Sequence, residues 1–378
     1  MLIFCLGLPR SGSTWLFNVV RGLLSESYDD FTAFFAETGE QFTERCPPSA
    51  RNLLIKAHSV DDLLARTLDL AGVVPIITWR DPRDVVASMN EIGLGDPGSL
   101  ARTVSGIGAT IVGYRNTHPQ ALVLNYEDQF TEEAETIRRI AKRLGLSPSP
   151  ARVKELYKTL SHAGLRDKID RWSSGLGKKS DFITDVDLST HWHKNHLGDG
   201  RIGKWKGLAP ASLRLALDTA LTPIDLAFRN PQAKIEFTWA PALFIHGGRT
   251  QSRWGVPADL DTPLVLTGPE CCLPPGCWRL SFDVSLKPVM MTELKVTVDI
   301  GEVHATARHH VADACSTFWL EFDHRRPAAP LSVVVTRESP PERGSIKVSN
   351  VRAERLAAEA PPSEAAAARA VTRIITPM

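Results

Sequence analysis

Hydrophobic and polar positions along this chain fall into two textures. Through roughly the first 230 residues, short unbroken apolar runs alternate with stretches of helical period. Residues 2 to 6 (LIFCL) are apolar throughout and stop at Gly7 and Pro9, which predicts a strand buried on both faces. Residues 14–24 (TWLFNVVRGLL) then read as helix. The pattern repeats: NLLIKAH at 52–58, VVPIITW at 73–79 and ALVLNYED at 121–128 read as strands. Each precedes a helical stretch, VDDLLARTLDLA, PRDVVASMNEI and EEAETIRRIAKRLGL in turn. Strands alternating with helices predict an α/β domain, a parallel sheet with flanking helices. Such sheets bind ligands at the carboxyl ends of their strands.

After about residue 235 the period changes to two. CWRLSFDVSL, TELKVTVDI, TFWLEFDH, LSVVVTR and GSIKVSNVRAERL alternate inward and outward between Pro and Gly turns, the pattern of an antiparallel all-β sandwich. The expected organisation is therefore an α/β domain over 1–234, a β-sandwich accessory domain over 235–356, and an Ala-rich flexible or helical tail over 357–378. Trp254, Trp278 and Trp319 in the second domain are either core or faces on which sugars stack.

Composition narrows the classes. The chain has 378 residues, 43% of them hydrophobic, and 44 basic against 43 acidic side chains for a net charge of +1. That balance gives no bulk attraction to nucleic acid or an anionic membrane, so any anion site is local. The six cysteines lack the paired spacing of a zinc site, and free thiols are expected, although Cys271 and Cys277 are close enough in sequence to bridge under oxidising conditions. The apolar start has no basic flank or small-residue cleavage site, and no apolar run reaches the length of a membrane span. A cytoplasmic protein with no membrane span is the expectation.

The candidate chemistry sits at the strand ends. Residues 7–14 read GLPRSGST directly after the first strand, with the spacing of the loop G-x-x-x-x-G-K-[ST] but Ser13 at the lysine position. Successive amides in such a loop, with the helix N-terminus behind them, form an anion cradle, and Arg10 places a cation inside it. Lys56 and His58, two apart on a strand, share a face. They offer an electrostatic clamp and a general base. Arg80 ends the third strand, and Ser88 follows eight residues later on the next helix, a second phosphate site in outline.

Taken together, GLPRSGSTW, LLIKAH and ITWRDPRDVVASM, in this order, resemble the sulfotransferases that use 3′-phosphoadenosine 5′-phosphosulfate. In that family P-K-S-G-T-x-W holds the 5′-phosphosulfate, K-T-H supplies lysine and base, and R-x-P-x-D-x-x-x-S binds the 3′-phosphate. The resemblance implies that Arg10, Ser11, Gly12, Ser13 and Thr14 form the cradle, with Trp15 near the adenine. It gives Lys56 and His58 the clamp and base roles, Arg80 and Ser88 the 3′-phosphate, and Tyr126 an adenine contact. A late segment, GDGRIGKWKG at 198–207, is similar to the family's closing loop R-K-G-x-x-G-D-W-K. Aligning Gly203, Trp205 and Lys206 leaves Gly198 and Asp199 where the family has Arg and Lys, with Arg201 as the candidate substitute. The resemblance covers residues 1 to about 230 and implies sulfuryl transfer without a metal to a hydroxyl or amine of an acceptor, a glycan, a glycolipid or a small alcohol.

Other readings compete. A nucleotide-dependent kinase shares the loop geometry, but Ser13 replaces its lysine. A glycan-binding protein with a degenerate first domain conflicts with the intact Lys56/His58 pair. Glu37 and Glu40 are the alternative bases, Phe31, Phe34, Phe35 and Phe42 the alternative acceptor wall or core, and His191, His193 and His196 a histidine cluster without accompanying carboxylates.

Overall fold

The computed structural model describes residues 1–167, 186–187, 190–193, 198–245, 264–287, 292–301, 303–311, 315–324, 329–338 and 345–356. The 357–378 tail, Trp254 and His196 lie outside the described residues, as does the side chain of His193. The chain divides into two compact units, 1–94 with 114–204, and 95–113 with 205–378. This division by packing and the change of texture near residue 235 differ in where they assign 95–113 and 205–234.

The first unit contains β1 (Leu2–Gly7), α1 (Ser13–Ser27), β2 (Thr32–Phe35), α2 (Gly39–Arg45), β3 (Leu53–Ala57), α3 (Asp62–Leu70), β4 (Val74–Trp79) and α4 (Pro82–Glu91). The 21-residue α5 (Pro97–Thr117) leads on to β5 (Leu122–Asn125), α6 (Ala134–Arg143) and α7 (Pro150–Leu160), and a two-residue pair, β6 (Val186–Asp187) and β7 (Trp192–His193), follows. The sheet order is β2-β3-β1-β4-β5 and every pairing is parallel. Central β1 is buried at all six positions. Its Ile3 and Cys5 join Leu54, Ile76 and Leu124 of neighbouring strands under Phe17, Val20 and Ile137 from the helices.

Sequence reading placed four of these strands and the helix behind each. It missed β2, where TAFF is short and aromatic, and it missed α5, whose Gly- and Ser-rich sequence lacks a sharp apolar stripe. The 121–128 run is strand only to Asn125. Tyr126–Asp128 turns into a 3-10 helix closed by Gln129 at φ 53°, which brings Tyr126 back over the strand ends.

In the second unit α8 (Ala211–Arg229) and β8 (Glu236–Thr238) precede seven longer strands: β9 (Leu264–Cys272), β10 (Gly276–Lys287), β11 (Thr292–Ile300), β12 (Val303–Val311), β13 (Cys315–His324), β14 (Pro330–Arg337) and β15 (Ser345–Arg355). They form two antiparallel sheets, β13-β10-β15-β8 and β12-β11-β14-β9. Alternate residues are buried, as along β11. Val296, Val298 and Val333 from one sheet and Leu280, Phe282 and Leu320 from the other are core, so the second unit carries the expected β-sandwich. Trp278 is fully buried there. Most of helix α5, residues 97–113, belongs to this unit, where Ser105 Oγ, itself fully buried, accepts from the Cys272 amide at 3.0 Å. Cys271 and Cys277 are both free thiols, one buried and one exposed. No described helix is long and apolar enough to cross a membrane.

Candidate active site

The carboxyl ends of β1, β3 and β4 meet where the strand order reverses about β1, the place at which an open α/β sheet binds ligands. The loop after β1 is tightly built. Gly7 lies so close to β4 that a Cβ there would fall 1.9 Å from Thr78 Oγ1. Ser11 is fully buried, and its hydroxyl meets the Leu8 carbonyl at 2.5 Å and Thr78 Oγ1 at 2.8 Å. Its amide also bonds Leu8 O, so Ser11 fastens the loop and does not line the cavity. Arg10 takes φ 61° and Gly12 φ 83°. These left-handed residues turn the chain abruptly into α1, with Gly12 as its N-cap. At Gly12 a side chain would meet Phe130 at 2.8 Å.

A cavity of about 530 Å³ opens above this loop. Its walls include Arg10, Gly12, Ser13, Thr14 and Trp15 from the loop and α1, His58 after β3, Arg80 and Ser88 around α4, Tyr126, and the late segment Gly198, Asp199, Gly200, Ile202 and Lys204. Residues named far apart in the sequence thus share one wall. Arg10 Nε donates to Ser88 Oγ at 3.1 Å, joining the loop cation to the helix hydroxyl. Arg80 is buried and donates to the carbonyls of Arg10 at 3.1 Å and Arg201 at 2.9 Å. Its guanidinium stacks 4.4 Å from the centre of the Tyr126 ring, a cation–π contact that fixes the plane of both. Trp15 is buried edge-on against Phe130.

His58 and Lys56 reach back from β3 to the loop. His58 Nδ1 sits 2.7 Å from the Gly7 carbonyl oxygen. A carbonyl only accepts, so Nδ1 carries the proton and Nε2 keeps its lone pair. Burial, reinforced by the Lys56 charge, lowers the His58 pKa to about 3, which keeps the ring neutral. Lys56 Nζ donates to Thr14 Oγ1 at 2.8 Å. It is buried, and that burial lowers it to about 8, with Cys5 and Glu37 opposing. Lys56 therefore acts on the cavity through Thr14, which lines it. Burial and nearby Arg80 likewise lower Arg10.

Glu37 accepts the amides of His58 at 3.0 Å and Ser59 at 3.2 Å. It holds the turn that aims the histidine, while Glu40 is exposed in the first turn of α2. Phe34 packs on Phe42, and Phe35 stands 5.8 Å from the His58 ring. His191 lies between Phe17 and Phe35. Among the described residues no group of three or more His, Cys, Asp or Glu is placed to hold a metal ion.

The late segment differs from expectation. Arg201 contributes its carbonyl to Arg80, but its side chain is 68% exposed and turns to Asp199. Gly203 instead anchors the segment, donating its amide to buried Asp84 at 2.6 Å. The residue that sequence reading missed is Lys204, whose side chain is 5% exposed, lines the cavity, and pairs with Asp199 at 2.6 Å and with Glu91. Asp84 was legible in R-x-P-x-D, whereas Lys204 stands where the aligned pattern has an acid and gave no signal.

The donors fit a polyanionic nucleotide: three cations, Ser88 and Thr14 hydroxyls and the α1 N-terminus surround one cavity with Trp15 and Tyr126. No family model and no curated protein matches the chain. Among solved structures it is similar to mouse sulfotransferase SULT7A1 complexed with PAP, at 14% identity and TM-score 0.42, over 57% of this chain and 81% of that one. Retinol dehydratase in a complex with retinol and PAP is similar at 15% identity and TM-score 0.43, over 57% and 78%. TmCBM61 in complex with beta-1,4-galactotriose is similar at 16% identity and TM-score 0.23, over 34% and 85%.

Proposed function

We propose that this chain transfers a sulfuryl group from 3′-phosphoadenosine 5′-phosphosulfate to a hydroxyl or amine of a small-molecule or carbohydrate acceptor. The observation that carries this reading is the convergence of His58, with its Nε2 lone pair set by Gly7, on a cavity walled by Arg10, Arg80, Ser88 and Thr14. The co-substrate supplies an activated sulfur on a nucleotide leaving group. Everything else falls to the protein. His58 Nε2 takes the acceptor's proton as the acceptor oxygen or nitrogen bonds to sulfur. The sulfur–oxygen bond to the 5′-phosphate breaks, and the departing electron pair stays on that phosphate. The α1 amides, Thr14 backed by Lys56, and Arg10 stabilise the charge that develops there. Arg80 and Ser88 hold the 3′-phosphate, and Trp15 and Tyr126 flank the base. The resemblance of the motifs at residues 7–15, 53–58 and 77–89 supports the same chemistry.

The test begins with calorimetry. Adenosine 3′,5′-bisphosphate is expected to bind far more tightly than adenosine 5′-monophosphate, since charge-assisted hydrogen bonds contribute about 1.5–3 kcal/mol each. Equal affinities would falsify the reading. With labelled sulfate donor and an acceptor-rich extract, His58→Ala is expected to lose roughly 100- to 10,000-fold in turnover while keeping its affinity for the bisphosphate.

A further inference from the structure

The wall formed by residues 198–204 reverses two charges of the loop that it resembles. Where R-K-G-x-x-G-D-W-K has lysine and then aspartate, this chain has Asp199 and Lys204, and their side chains meet at 2.6 Å. Glu91, at the end of α4, bonds the same ammonium. The three groups are not equally placed. Lys204 has 5% of its side chain exposed, against 46% for Asp199 and 51% for Glu91, so the carboxylates stand toward solvent and the ammonium stands inward.

Gly198 shows where that ammonium points. A Cβ at this position would lie 3.3 Å from a terminal nitrogen of Arg10 and 3.8 Å from Lys204 Nζ. Two cations from distant parts of the chain therefore converge on the spot from which the arginine of the resembled loop would grow. Arg10 is already bonded to Ser88 there. A dianionic phosphate bound at Ser88 lies beside both cations and competes with Asp199 and Glu91 for the Lys204 ammonium.

We propose that Lys204 is a specificity-determining residue that grips the nucleotide's 3′-phosphate together with Arg80 and Ser88, and that Asp199 and Glu91 hold its ammonium until the phosphate displaces them. This rests on the nucleotide-binding reading above. The cation lost at positions 198 and 199 is restored from position 204, and a glycine at 198 leaves room for it.

Calorimetry on the full chain, with adenosine 3′,5′-bisphosphate and adenosine 5′-monophosphate as probes, tests the assignment. Lys204→Gln is expected to weaken the bisphosphate by about 10- to 100-fold and leave the monophosphate nearly unchanged, and Lys204→Arg to keep most of the affinity. Asp199→Asn, which removes an anion competing for the ammonium, is expected to tighten the bisphosphate several-fold. An equal loss for both nucleotides in Lys204→Gln, without rescue by arginine, would show that Lys204 only holds the loop. A looser bisphosphate in Asp199→Asn would also overturn the proposal. Should Lys204→Gln fail to melt cooperatively, the other two variants decide. Discrimination that persists in Lys204→Gln removes the Lys204 assignment alone. A native chain that binds both nucleotides equally removes the nucleotide reading with it.

Discussion

At His58 one hydrogen bond sets which ring nitrogen keeps its lone pair. The Gly7 carbonyl claims Nδ1, and burial holds the ring neutral with a pKa near 3. In the proposed reaction His58 is the base, which works only when deprotonated, so its rate contribution is lost as pH falls through that value. In the same proposed reaction Lys56 acts as a cation, and its contribution is lost as pH rises through about 8. The kcat/KM profile of the free enzyme is therefore expected to be flat between about pH 5 and 7, with limbs below and above and no inflection near 6.5. An inflection near 6.5 would mean that His58 titrates like an exposed histidine. Stability follows the same linkage. The unfolded histidine takes up its proton near 6.5 and the folded one near 3. Its contribution is complete above 6.5 and is lost as pH falls from there toward 3. The two glutamates separate cleanly. Glu37→Ala frees the His58 and Ser59 amides and is expected to cost about 1–3 kcal/mol and to lower turnover, whereas exposed Glu40→Ala leaves both unchanged. Parallel melting curves and rates check the pair, and a rate loss confined to Glu40→Ala would return the base role to it.

At the scale of elements, the β1–α1 loop is held in a sharp turn through two left-handed residues, Arg10 and Gly12. Gly12 holds φ 83° against Phe130, and Ser11 is bonded into Leu8 and Thr78. Gly12→Ala adds a left-handed penalty of about 1–2 kcal/mol and a clash. The expected outcome is a lower melting temperature together with a loss of bisphosphate affinity, because the same loop supplies the α1 amides. Unchanged affinity in a destabilised protein would mean that the loop does not touch the nucleotide.

For the whole molecule, packing and texture divide the chain differently. Ser105 on α5 receives the Cys272 amide, and Thr219 on α8 receives the Ala240 amide, so parts of the first 234 residues are hydrogen-bonded to the chain beyond residue 235. A chain ending at residue 238 is therefore expected to melt at lower temperature than the full chain, with more apolar surface exposed to a hydrophobic dye. Identical melting would show that 95–113 and 205–234 fold without the sandwich.

The sequence by itself determined most of the strands and which side chains stand at their ends. An unbroken apolar run such as LIFCL is stable only between two covered faces, and alternation such as TELKVTVDI only with one face inward. These are local demands, so β1, β3, β4 and the sandwich strands β10, β11, β13, β14 and β15 were legible, along with Arg10, Lys56, His58, Arg80 and Ser88, though β9 and β12 were not. Tertiary structure decided what each of those side chains does. Ser11 turned inward to bond Leu8 O and Thr78 Oγ1 of another strand, Arg201 turned outward, and Lys56 reached Thr14 rather than the cavity. Lys204 entered the cavity wall through Asp199 and Glu91, one of them over a hundred residues away. Hydrogen bonds and ion pairs between distant segments depend on where the backbone brings them, and no local pattern of hydrophobic and polar residues encodes that distance.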